Sequence, residues 1–218
     1  VIDSFADVMV EINNVKPDRI ELAGVELSDE QTVSIELYGI QPYRNRYRTP
    51  FTYGWIINAD TRELVWETED GDIDREGRRE YSCTDEIDLK KGTYEVYYAA
   101  FPYSHDWNWE PHHGFGNFIA HIFGAIFDGR NDYYDYDFEK LFIRVEGKGK
   151  GLNEDTVLEN QNALKDKALI SYSPLGRERV RQSIIKLSEP TELNLYVLGK
   201  ARRDGDFDFG WITDLKTR

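Results

Sequence analysis

The side chains best suited to chemistry gather in one stretch of this chain. Residues 102–137 read PYSHDWNWEPHHGFGNFIAHIFGAIFDGRNDYYDYD and hold all four histidines, His105, His112, His113 and His121. Neutral imidazoles with a carboxylate such as Asp106 are a donor set that suits zinc. The spacing argues the other way: adjacent residues such as His112 and His113 rarely both face one ion, and no His-x-x-x-His pair is present. Tyr103, Trp107 and Trp109 could instead form a flat platform for a sugar ring, although aromatic residues of this kind more often pack inward. Phe115, Phe118, Ile119, Ile122, Phe123 and Ile126 recur at three- and four-residue spacing between Gly114 and Gly129, which predicts a helix over about 114–128. The commonest fate of such a stripe is packing on its own domain. The next is a partner interface, for which Tyr103, Trp107, Trp109, Phe115, Phe118, Ile122 and Phe123 are the natural anchors. An excursion of about 35 residues is usually functional or interface-forming.

Acidic runs raise calcium as a second candidate ion. They are Glu69, Asp70, Asp72 and Asp74; Asp128, Asp132, Asp135 and Asp137; and Asp204, Asp206 and Asp208. The 70–74 run has the one-three-five spacing of a calcium loop, but Arg75 stands where that loop needs Gly and Tyr81 where it needs Glu. Solvated surface charge is the ordinary reading of such runs. No cofactor is therefore expected, with calcium and zinc the ions to consider. No Gly-x-Ser-x-Gly, no phosphate-cradling glycine loop and no framed carboxylate pair occurs, so catalysis is not expected of this chain. The formal charge of −14 repels phosphate backbones and anionic membrane surfaces, which disfavours nucleic acid. No apolar run is long enough for membrane insertion. Cys83 is the single cysteine, which excludes an intrachain disulfide and paired-cysteine metal sites.

These groups must be positioned by strands. Period-two alternation marks Val8-Val10-Ile12, Val33-Ile35-Leu37, Tyr94-Val96-Tyr98-Ala100 and Leu141-Ile143-Val145. Further strands are expected near 20–27, 53–58, 63–67 and 79–88. Asn13-Asn14, Ser28-Asp29, Asn58-Ala59-Asp60, Asp70-Gly71 and Lys91-Gly92 supply the turns between them. Seven or eight short strands without alternating helices predict an all-β fold, an antiparallel Greek-key sandwich of Ig-like or jelly-roll type. Leu89-Lys90-Lys91-Gly92-Thr93-Tyr94 has the order of a tyrosine corner, in which Tyr94 would bond back to the preceding arch.

An internal repeat sets the domain boundaries. Residues 8–39 lie on 168–199 at an offset of 160, and Tyr53-Gly54-Trp55-Ile56 lies on Phe209-Gly210-Trp211-Ile212 at an offset of 156. The expected organisation is a sandwich over 1–147 with the insert at 102–137, a Gly- and Lys-rich linker over 148–167, and the N-terminal half of a second, truncated sandwich over 168–218. That half is expected to need cover from another surface, with Trp211 in the place of Trp55, and Trp55 is expected to be largely buried. Residue 1 is followed directly by strand-like sequence, which reads as a processed or trimmed start.

The order Tyr38-Gly39, then Tyr53-Gly54-Trp55-Ile56, Asn58-Ala59-Asp60-Thr61, Val65-Trp66, Gly92-Thr93-Tyr94-Glu95-Val96-Tyr97-Tyr98 and Ser104-His105 with Trp107 resembles tandem β-sandwich modules of uncharacterised exported proteins of Bacteroidota and related bacteria. Those modules are distantly similar to the pre-peptidase C-terminal and Ig-like sandwiches. The resemblance covers most of 25–107 and again 185–218, and its motifs are structural ones. It implies export to the periplasm, cell surface or extracellular space. The implied role is that of a non-catalytic binding or structural module acting through contacts with a protein partner or with further domains of its own chain. The alternative is a carbohydrate-binding accessory of a larger secreted enzyme, reading a glycan through Trp107 or Trp109.

Overall fold

A computed structural model describes residues 7–16, 19–40, 50–77, 79–102, 138–172, 181–193, 195 and 212–214. Ten strands form among them: β1 Asp7–Asn13, β2 Arg19–Leu27, β3 Gln31–Ile40, β4 Pro50–Asn58, β5 Leu64–Glu67, β6 Asp72–Arg75, β7 Glu80–Leu89, β8 Gly92–Pro102, β9 Phe142–Gly147 and β10 Lys150–Leu152. One α-helix, α1, runs Glu154–Lys167, and a 3-10 turn spans Phe138–Lys140. The strands make two antiparallel sheets of five, in the orders β1-β9-β3-β7-β6 (sheet A) and β10-β2-β8-β4-β5 (sheet B). The fold is mostly β, as the alternation predicts.

The order has one decisive property. No two of β1, β2, β3 and β4 are hydrogen-bonded neighbours. β9 lies between β1 and β3, and β8 lies between β2 and β4. β1, β2 and β3 therefore gain sheet partners only from later strands, and β4 gains its own from β5 and β8.

Alternation decides which residues meet between the sheets. Sheet A contributes Val10 and Ile12, Val33, Ile35 and Leu37, and Ile143 and Val145 to the core; sheet B contributes Val25, Leu27 and Ile56, and Tyr94, Val96 and Tyr98. The sheets approach closely at Gly54, where a Cβ would stand 2.7 Å from Leu37 Cδ1 and 2.9 Å from Ile143 Cδ1. Burying polar groups between the sheets is tolerable only with partners, and these partners also tie the layers together. Tyr98 Oη donates to Tyr38 O at 2.7 Å. Thr52 Oγ1 accepts from Ile40 N at 3.0 Å, and Tyr81 Oη donates to Thr52 O at 3.0 Å. At the far side Trp66, buried, donates its indole N–H to Asp85 on β7 at 3.0 Å. Tyr94 Oη donates to Lys90 O at 2.9 Å across the turn into β8, the contact that the Leu89–Tyr94 sequence predicts.

The structure adds elements that the sequence pattern did not suggest. Residues 148–167 were expected to be a linker, yet Lys150–Leu152 joins sheet B beside β2 and Glu154–Lys167 is helical. The glycines there answer to close approach rather than to flexibility. A Cβ at Gly149 would stand 2.7 Å from Met9 Sδ and 2.8 Å from Glu26 O. Asn153 caps α1 by accepting from Thr156 N at 2.9 Å, with Glu154 and Asp155 in the first turn and Lys165 and Lys167 in the last, a charge order that suits the helix dipole. The expected helix at 114–128 lies outside the described residues. Within the second half-sandwich expected over 168–218, the described residues 168–172 and 181–187 form no strand.

Cys83 sits wholly buried on β7, its Sγ 3.5 Å from Thr68 O. Burial, with Asp85, Asp72 and Asp70 nearby, pushes its thiol up to about 12. A native thiol so placed is unreactive at neutral pH. A thiol reagent at pH 8 is expected to label Cys83 only as fast as the chain unfolds. The raised value means that the thiol's contribution to stability is complete below the unfolded value of about 8.5. It is lost as pH rises toward about 12. Denaturant titrations of wild type and Cys83→Ala across that window check the sign, because only wild type carries this component. Gly54→Ala, which drives a methyl into Leu37 and Ile143, is expected to cost about 1–3 kcal/mol in the same titration.

Candidate functional site

The face of sheet B turned away from the core is the most chemically organised place among the described residues. Alternation puts Tyr53, Trp55 and Ile57 of β4 and Glu95, Tyr97 and Ala99 of β8 on that face. Polar residues would be expected there if it met water. Instead Trp55 is 3% exposed and Glu95 only 1%. Trp55 lies opposite Tyr97 in register, and their rings stack with centroids 4.9 Å apart and planes 4° from parallel.

A buried carboxylate requires partners, and Glu95 has four hydrogen bonds from three side chains. Arg62 reaches it bidentately, Nη1 to Oε1 and Nη2 to Oε2, the second at 2.9 Å. Tyr97 Oη donates to Oε2. Gln161 Nε2 of α1 donates to Oε2 at 2.9 Å and to Tyr97 Oη at 3.1 Å. Arg62 is aimed by its turn. Asn58 Oδ1 accepts from Asp60 N at 2.9 Å and Thr61 N at 3.0 Å, and Arg62 then takes a φ of 62°. That left-handed conformation is uncommon for a residue with a Cβ. α1 lies over the neighbouring β2, with Val157 buried against Gly24, where a Cβ would stand 2.9 Å from Val157 Cγ2.

The phenols of this face are donors rather than acids. Burial and the Glu95 carboxylate hold Tyr97 well above the ordinary phenol range. Burial and Glu67, to which Tyr53 Oη donates at 2.6 Å, do the same to Tyr53. A protonated phenol with a saturated carboxylate beside it neither takes nor gives a proton readily near pH 7. Chemically, the arrangement fixes α1 and the 58–62 turn onto sheet B.

Most of the residues singled out from the sequence fall where the structure gives no description. Tyr103, Trp107, Trp109, Phe115, Phe118, Ile122 and Phe123, and the metal candidates His105, Asp106, His112, His113 and His121, lie outside the described residues. So do Asp128, Asp132, Asp135, Asp137, Asp204, Asp206 and Asp208. Of the 69–74 run, Asp70 Oδ2 accepts from Glu67 N at 3.0 Å, while Asp72 and Asp74 are exposed on β6. Among the described residues no group of three or more His, Cys, Asp or Glu gathers as a metal would require. The network of Glu95, Arg62, Tyr97 and Gln161 was not foreseen. Its available signal was a lone carboxylate within the aromatic run Tyr94–Phe101, which reads as an ordinary solvent-facing residue until the helix covers it.

No protein-family model, curated protein or solved structure matches this chain.

Breaking a buried pair leaves its partner charged and unsatisfied, whereas removing both together is often neutral. Glu95→Leu is expected to lower unfolding stability by about 3–5 kcal/mol, and Glu95→Leu with Arg62→Met to recover most of that loss. Urea unfolding of the two variants measures the difference. Equal losses in both would show that Arg62 is not the partner that matters.

Proposed function

We propose that this chain is a non-catalytic binding and structural module that works through protein contacts, of the kind found in exported or cell-surface bacterial proteins. One observation carries the reading. Beyond the sandwich and its helix, the described residues present large apolar side chains to solvent: Leu169 at 67% exposure, Ile184 at 71%, Leu195 at 64%, with Ile185, Leu187 and Ile212 also open. The sandwich core is filled without them. Single exposed leucines carry no information, but a run of them along one segment marks a contact surface. The best-organised buried network, around Glu95, serves to hold the body together, which fits a scaffold better than a reaction centre. Export rests on the resemblance to tandem sandwich modules.

The full chain is expected to light up a hydrophobic fluorescent dye at neutral pH. Ile184→Asp, Leu187→Asp and Leu195→Asp combined should remove most of that signal and leave the melting transition of the sandwich in place. A wild-type chain that leaves the dye dark has this surface covered by its own body, and the reading then falls.

A further inference from the structure

We propose that α1 is a releasable strap: it lifts from the outer face of sheet B as a unit, hinged at Asn153, while the sandwich beneath it stays folded. This goes beyond the binding-module reading and does not depend on it. A helix of fourteen residues is marginal in water by itself, so α1 needs the body to stay formed. Its hold on the body is small. Val157 is its one buried residue. Thr156, Gln161 and Leu164 are half-buried, and the other ten positions are exposed, Leu158 among them at 40%.

Two side chains make the attachment. Val157 sits in the notch left by Gly24, with Leu152 beside it. Gln161 Nε2 donates to Glu95 Oε2 and to Tyr97 Oη. The dependence runs one way. When Gln161 leaves, Arg62 still reaches both oxygens of Glu95 and Tyr97 still donates to Oε2, so three of the carboxylate's four bonds remain. Water can take the place of the lost amide once the helix is gone. The network thus holds α1 without needing it, and release leaves no buried charge unpaired.

The hinge has a defined place. Lys150–Leu152 is tied to β2 by main-chain pairing, and Gly149 and Gly151 pack closely on Met9. The chain leaves the sheet at Asn153, which is extended, with φ −76° and ψ 169°. The cap bonds of Asn153 Oδ1 go to Thr156 N and Thr156 Oγ1, inside the helix, so they are kept when the helix swings. Opening at this point uncovers Gly24, Glu95 and Tyr97 and breaks no strand pairing. Segments that move in function are drawn from such weakly held units.

Native-state hydrogen exchange of the full chain tests this. Amides 158–167 are expected to exchange together, at least a hundredfold faster than amides 94–98 of β8 and at least tenfold slower than an unstructured peptide. Val157→Asn and Gln161→Met, which keep helix propensity nearly constant, should each speed exchange in α1 by about tenfold. Neither should change β8 or the urea midpoint of the sandwich, and Glu159→Gln on the exposed side should change nothing. Exchange of α1 at the rate of β8 overturns the proposal, because the helix then opens only with the whole body. Exchange of wild-type α1 at the unstructured rate also overturns it, because the strap then never closes. So does either variant accelerating β8 as much as α1, the result expected if Val157 or Gln161 supports the sandwich itself.

Discussion

The fold depends on the interposition of β8 and β9. Each of these strands fills a gap that the first four strands leave, and each is hydrogen-bonded on both sides. The pairing is long-range: β1 near residue 7 meets β9 near residue 147. Loop closure therefore precedes the ladders of β8 and β9, whereas β4 with β5 and β6 with β7 pair across short turns. The same constraint makes β8 the hub of the molecule. Its inner face gives Tyr94, Val96 and Tyr98 to the core, and its outer face gives Glu95 and Tyr97 to the network under α1. A strand used on both faces loses the polar alternation of an ordinary antiparallel strand, and Tyr94–Phe101 reads almost as a continuous aromatic and aliphatic run.

Polar groups buried by this arrangement are few and satisfied. Thr52, Thr68 and Glu95 are the buried polar residues among those described. Thr52 serves Ile40 N and lies beside Tyr81. Thr68 extends β5 past its end, accepting from Gly54 N at 2.8 Å and donating to Gly54 O at 3.0 Å. Glu95 is held by Arg62, Tyr97 and Gln161. The Thr52 and Thr68 bonds fix β4 against β3 and against the end of β5, and the Glu95 bonds fix the 58–62 turn and α1 on β8. An apolar substitute would pack as well but would not discriminate so sharply, which is the use such networks have where they are fully connected.

What the sequence made legible follows from the reach of its signals. β1, β2, β3, β4, β5, β7, β8 and β9 each carry a period-two run or sit between turn residues, and each lies where that pattern puts it. β6 was missed because Asp72-Ile73-Asp74-Arg75 has one apolar residue and stays exposed throughout. β10 is three residues long, below the length at which alternation can be seen. α1 was missed because glycines and lysines ahead of it suggested a linker. Its cap at Asn153 and its end charges were visible, but its apolar stripe amounts to little more than Val157. Glu95 and Arg62 could not be paired from sequence, since their meeting depends on a left-handed turn at Arg62 and on which outer face the helix would cover. Burial of Trp55 was legible from Gly54-Trp55, but the partner was not: the ring rests on Tyr97, outside the core cluster.

The edges of the two sheets complete the argument about where contacts can form. An open edge strand invites pairing, and folded proteins blunt it. β6 closes one side of sheet A with Asp72 and Asp74 exposed. β1 closes the other side with a break in register between Val8 and Val10, which interrupts the row of donors and acceptors an incoming strand would need. In sheet B, β10 and β5 are only three and four residues long. The body thus discourages strand addition on all four of its edges, by charge, by a bulge or by shortness. Among the described residues beyond the sandwich, Ile184, Ile185 and Leu187 are exposed within four residues of one another.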